Sequence, residues 1–97
     1  MDAITFSHEE TDSKGRYVAV VDGFDAVGEL TYSKSSPTLI IVDHTGVPDS
    51  LRGKGVGKAL SAKIVEGMRV KGVKIVPLCP FFKAIAQRHS DWADVVQ

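Results

Sequence analysis

The chain has one cysteine, Cys79, in 97 residues, so no disulfide can form within it. That fits a reducing compartment. Net charge is also missing, because 12 Lys and Arg are balanced by 12 Asp and Glu. This removes a general electrostatic case for nucleic acid or anionic membrane as a partner, and any anion site must be local. No run approaches the ~18 apolar residues of a membrane span. Met1-Asp2-Ala3-Ile4-Thr5 has no basic region followed by a long apolar run, so it does not read as a signal peptide. Repeats, linkers and low-complexity tracts are lacking. Three scattered histidines and one cysteine offer no usual metal-ligand spacing. The expectation is a soluble, intracellular, cytoplasmic protein without a metal, folded as one domain over residues 1–97.

What is present is ordinary for a globular protein, with 43% hydrophobic and 25% charged residues. A chain this size buries roughly two-thirds of its unfolded surface, enough for one core. Ile4, Phe6 and His8 alternate with Thr5 and Ser7, predicting a short first strand. Residues 9–15 are polar, end in glycine and read as a turn. Residues 16–21 read as a strand, and Asp22-Gly23 as a hairpin signal. The return strand covers residues 26–33, with Gly28, Leu30 and Tyr32 on one face and Val27, Glu29 and Thr31 on the other. A second turn covers residues 34–37. Residues 38–43 are almost continuously apolar, predicting a strand buried on both faces. After the break at Pro48-Asp49-Ser50, Val56, Leu60, Ile64 and Met68 recur every four residues and predict an amphipathic helix. Arg69 and Lys71 suit its C-terminal dipole, and Gly72 its C-cap. Residues 73–78 read as another buried strand. Pro80 suits the first turn of a second helix, with Phe81, Ile85 and Trp92 as its buried side and His89-Ser90-Asp91 as an interruption. The order β-β-β-β-α-β-α gives an α+β fold: antiparallel hairpins, then one strand–helix–strand unit whose strands run parallel.

Between the fourth strand and the first helix stands Leu51-Arg52-Gly53-Lys54-Gly55-Val56-Gly57-Lys58, with three glycines and three cations in eight residues. Glycine lets a backbone approach a ligand closely. A helix starting here aims unpaired N–H groups and a positive dipole end into the loop, as a phosphate or pyrophosphate site requires. The loop lacks the Gly-Lys-Ser or Gly-Lys-Thr of a P-loop and the spacing of the dinucleotide-binding fingerprint. Spacing alone leaves a pyrophosphate site or a structural turn.

Arg52-Gly53-Lys54-Gly55-Val56-Gly57 resembles the Arg/Gln-x-x-Gly-x-Gly/Ala motif of GNAT-type N-acetyltransferases. The chain is most similar to a group of very short members. Their His-Thr-x-Val-Pro, Arg-Gly-x-Gly-x-Gly and Leu-Cys-Pro patterns stand here at residues 44–48, 52–57 and 78–80. The resemblance implies a minimal GNAT fold, mostly antiparallel, with one parallel pair that splays apart to admit the pantetheine arm. It implies acetyl-CoA as co-substrate, held by the Val47 backbone and by Arg52, Gly53, Lys54, Gly55, Val56, Gly57 and Lys58. It implies direct attack of an amine on the bound thioester. The acceptor is an unidentified protein, peptide or small amine, and the oligomeric expectation is a monomer or weak dimer. A CoA or acyl-CoA sensor without chemistry is the alternative.

Two residues stand out as catalytic candidates. Cys79 follows a strand and opens a helix, where thiolate is favoured and, by the resemblance, the thioester lies near. Its other reading is a buried, inert hydrophobe. His44 has imidazole chemistry suited to a general base, or is simply a polar strand-end residue. Asp43 beside it belongs on the opposite strand face. Glu29 is a weaker candidate base. Lys83 and Arg88 are expected on the solvated side of the last helix, and Phe81, Phe82 and Trp92 in the core. Departures from the larger relatives bear on mechanism. The only tyrosines, Tyr17 and Tyr32, come too early to protonate departing CoA, and the helices that usually build the acceptor pocket have no counterpart.

Overall fold

Alternation of apolar and polar residues along the first half of the chain builds four successive antiparallel strands. The computed structural model describes residues 3–97. They are β1 (Ile4–Glu10), β2 (Lys14–Val21), β3 (Val27–Ser36) and β4 (Leu39–Gly46). A 3₁₀ turn, Asp49–Leu51, leads to α1 (Val56–Lys71). β5 (Lys74–Pro77), α2 (Pro80–Ala86) and a second 3₁₀ turn, Ser90–Trp92, complete the chain. The sheet order is β1-β2-β3-β4-β5, and only β4–β5 is parallel. The expected α+β class and element order are those observed.

Several boundaries differ from the sequence reading. β1 runs on to Glu10 and β2 starts at Lys14, so the first turn is shorter than residues 9–15. β3 continues to Ser36, absorbing most of the second expected turn. In both places polar residues continue a strand because the ladder supplies hydrogen bonds that composition does not reveal. β4 is buried on one face only: Ile40 and Val42 are covered while Leu39 and Ile41 are partly open. Both helices pack on one side of the sheet and touch each other, leaving the other side bare. β5 is confined to Lys74–Pro77. Its free edge is covered by the chain end, through Ile75 N–H to the Val95 carbonyl and Gln97 N–H to the Ile75 carbonyl.

The core lies between sheet and helices. Leu30, Val42, Leu60, Ile64, Ile75 and Phe82 have no or almost no exposed surface. The four-residue stripe of α1 is wholly buried, and Gly72 closes the helix in the left-handed conformation at φ 71°. Gly28 accommodates this packing, since a Cβ there would lie 2.5 Å from a Val56 methyl.

A polar cluster seals the end of the core beside β1. The Tyr32 ring crosses over Gly15, where a Cβ would lie 2.0 Å from it. Its hydroxyl donates to Glu10 at 2.6 Å and lies 2.6 Å from His8 Nε2. His8 stacks on Tyr17 with ring centroids 4.1 Å apart. The Tyr32 hydroxyl, followed by Lys34, holds the Glu10 carboxyl down at about 2. Burial, followed by Lys71, lowers the His8 imidazole. Burial, followed by Glu10, raises the Tyr32 phenol.

Candidate active site

β4 and β5 pair from Leu39↔Lys74 to Val42↔Pro77 and no further. β4 then follows β3 alone to Gly46, so a gap opens between the two parallel strands. The same stretch of β4 carries a bulge. Thr31 pairs with His44 and Tyr32 with Val42, which leaves Asp43 as the extra residue. Thr31 Oγ1 and Ser33 Oγ donate to the Asp43 carboxylate at 2.5 and 2.9 Å, holding it on the bare face of the sheet. His44 is on that face too: a Cβ at Gly46 would lie 3.1 Å from its Nε2 and 3.7 Å from Glu29 Cγ. The bulge therefore overrides the expectation that Asp43 and His44 point to opposite faces. Asp43 is nonetheless engaged by its hydroxyl donors. Glu29 accepts from Arg16 Nε at 2.9 Å.

Cys79 occupies the other side. It is buried, its N–H donates to the Val42 carbonyl at 2.9 Å, and its Sγ lies 3.6 Å from Thr45 Oγ1. Thr45 is opposite buried Leu30 and so faces the helices. The two catalytic candidates thus flank β4 from opposite faces rather than meeting.

The glycine loop enters α1 without a side-chain cap and without an acidic residue in the first turn. Gly53 and Gly55 have φ of 81° and 74°, a region that strains other residues. Ala59 N–H donates to the Gly55 carbonyl at 2.9 Å, the first rung of the helix. The N–H groups of Val56, Gly57 and Lys58 precede that rung and lack intrahelical acceptors. Gly57 serves a different purpose: a Cβ there would lie 2.4 Å from the Phe81 ring.

These elements enclose a cavity of about 650 Å³. One wall holds Val47, Leu51, Arg52, Gly53, Gly55, Val56, Gly57 and Lys58. The other holds Phe81, Ile85, Arg88 and His89. Three cations and a histidine line it, and among the described residues no carboxylate does. Arg52 reaches Asp49 at 2.9 Å in a highly exposed and therefore weak pair. Seven of the eight residues expected at the anion site share this cavity. Lys54 does not line it. Its Nζ lies 5.0 Å from the centre of the Phe24 ring and its N–H donates to the Leu51 carbonyl, because the turn before α1 directs it away. The donor row thus starts after Lys54. Neither Cys79 nor His44 lines the cavity.

The far wall was not foreseen. Phe82 fills the core position expected of Phe81, whose ring is half-exposed at the cavity. Arg88, expected in solvent alone, also lines it. Part of the signal lies in the spacing: Phe81 and Ile85 stand at i and i+4 on one stripe of α2, and Arg88 follows just past its end. Among the described residues no cluster of three His, Cys, Asp or Glu could hold a metal, and no helix is long and apolar enough to cross a membrane.

The profile of the GCN5-related N-acetyl-transferase family matches residues 16–95. The chain belongs to that family. It is similar to the solution NMR structure of a GCN5-like chain from Staphylococcus aureus, at 33% identity and a TM-score of 0.70, over 94% of this chain and 87% of that one. An aminoglycoside N-acetyltransferase in complex with CoA shares the fold, at 22% identity and a TM-score of 0.55, over 86% of this chain and 60% of that one. No curated protein matches in sequence. The GNAT fold expected from the motifs is the one present, in a version where β1 joins β2 through a tight turn and one sheet face stays bare.

Proposed function

We propose that the protein transfers an acetyl group from acetyl-CoA to an amine. The observation that carries this reading is the cavity of about 650 Å³, walled by the uncapped start of α1 and three cations and, among the described residues, lacking carboxylates. It adjoins the gap between β4 and β5, since Val47 follows one strand and Phe81 the other. Pyrophosphate binds the N–H row of the α1 start, with Arg52 and Lys58 adding charge. The pantetheine arm enters the gap and presents its thioester beside β4. The acceptor approaches from the bare face.

The amine nitrogen attacks the thioester carbonyl carbon. An N–C bond forms and the C–S bond breaks; the attacking nitrogen passes its remaining surplus proton to water, and CoA leaves as a thiolate that takes that proton back from water. Most of the acceleration comes from holding the two reactants together and from hydrogen bonds to the developing oxyanion. His44, exposed and without a side-chain hydrogen-bond partner among the described residues, takes the proton of the incoming ammonium group. Cys79 contacts the acetyl end from the helix side.

A sensor of CoA that performs no transfer is the second reading. One observation favours it: Tyr17 and Tyr32 are buried in the cluster beside β1, so neither is placed to protonate departing CoA. Calorimetric titration with CoA and acetyl-CoA tests both readings, and absence of binding at millimolar ligand sinks both. Thiol release across a panel of primary amines then decides. Release establishes the enzyme, and binding without release establishes the sensor.

A further inference from the structure

CoA carries a third phosphate, on the ribose 3′-oxygen, distant from the acetyl end. The α1 start accounts for the pyrophosphate only. On the opposite wall Arg88 lines the same cavity, just past the end of α2. Among the described residues neither Arg88 nor Lys58 has an ion-pair partner, whereas the other arginines, Arg16, Arg52 and Arg69, each have one. His89 is pinned beside Arg88 by stacking on Trp92, with ring centroids 4.1 Å apart and 10° between planes. The Arg88 N–H donates to the Ile85 carbonyl at 3.0 Å, which fixes the backbone that carries the guanidinium. A guanidinium without an ion-pair partner, lining a cavity that no carboxylate of the described residues lines, is suited to a phosphate.

We propose that Arg88 holds the 3′-phosphate of CoA and makes the site selective for CoA over 3′-dephospho-CoA. This rests on the acetyl-CoA reading above. It assigns the nucleotide end of the ligand to the α2 side of the cavity, while the glycine loop holds its middle. The Phe81–Ile85–Arg88 series then has a division of labour: its apolar members cover the cleft wall, and its charged end binds the terminal phosphate.

The test is calorimetric titration of wild type, Arg88→Gln and Lys83→Gln with CoA and with 3′-dephospho-CoA. Lys83 loses the same charge from α2, one turn before Arg88, but does not line the cavity. Wild type and Lys83→Gln should bind CoA roughly tenfold more tightly than the dephospho form, the scale of one charge-assisted hydrogen bond. In Arg88→Gln the affinity for CoA should fall to that for dephospho-CoA, whose own affinity stays unchanged. Equal affinities in wild type overturn the proposal. So does selectivity that survives in Arg88→Gln, or an equal loss for both ligands. If wild type binds neither ligand, the acetyl-CoA reading itself has failed.

Discussion

The three glycines of the loop look interchangeable in sequence and are needed for different reasons. Gly53 and Gly55 are held by backbone conformation, with open space where a Cβ would stand. Gly57 is helical and held by a neighbour, the Phe81 ring. Gly55→Val therefore forces a β-branched residue into the left-handed region, at about 1–2 kcal/mol, and mixes strain with binding. Gly57→Ala is the cleaner probe. It should keep the melting temperature within a few degrees and weaken CoA binding about tenfold by crowding the cleft against Phe81. The double variant with Phe81→Ala should recover part of the loss. Calorimetry with thermal melts checks both. Cys79 is buried against Thr45 and lies across β4 from His44. Direct transfer thus predicts that Cys79→Ser retains amine acetylation, while His44→Gln slows it about a hundredfold at neutral pH. A stable acetyl adduct on wild type, absent from Cys79→Ser, together with a dead Cys79→Ser enzyme, would instead establish a covalent route.

Between elements, the seal of β1, β2 and β3 sets the acid sensitivity of the fold. The Glu10 carboxyl is held at about 2, below its ordinary 4.5. Its contribution is complete above pH 4.5 and is lost as pH falls toward about 2. The His8 imidazole is lowered from 6.5, so below that pH the unfolded chain takes up the proton first. Both effects act in one direction, and stability should decline as pH falls below 6.5. Glu10→Gln should be less stable at pH 7 and show a flatter decline below pH 4.5, measured by urea unfolding across pH. Tyr32→Phe removes the hydroxyl that His8 and Glu10 share and should cost about 0.5–1.5 kcal/mol, the scale of a hydrogen bond whose partners can turn to water, since Glu10 keeps Lys34 at 2.9 Å. None of this cluster was legible in the sequence, because it joins residues up to 24 positions apart through the register of three strands. The helix α1, its Gly72 cap and the strand–helix–strand unit were legible, because four-residue periodicity and caps are local signals. Residues 38–43 misled for the opposite reason. An apolar run does not say whether a second layer covers it, and here none does. The candidate site divided likewise: the loop announced itself by composition, while the Phe81–Ile85–Arg88 wall required knowing where α2 lies.

Across the whole molecule, neutrality conceals segregation. The cavity gathers three cations and, among the described residues, no carboxylate, while Glu9, Glu10 and Asp43 line a separate hollow with Lys14 and Arg16. CoA at one hundred times its dissociation constant should raise folding stability by about 2.7 kcal/mol, an effect readable by thermal shift and weakened by added salt. One residue of β4 is supernumerary. Asp43 is the extra residue of the bulge, and beyond it Thr45 meets Cys79 while His44 reaches the bare side. Loss of a single codon there would leave both where they are, because His44 already pairs with Thr31 and Thr45 with Leu30, as an even alternation from Val42 requires. What would go is the carboxylate that Thr31 and Ser33 hold on the bare face. A regular strand that loses one residue turns every later side chain over. Here the spare residue absorbs the loss, so this point of the chain tolerates a change in length that would scramble the site anywhere else along β4.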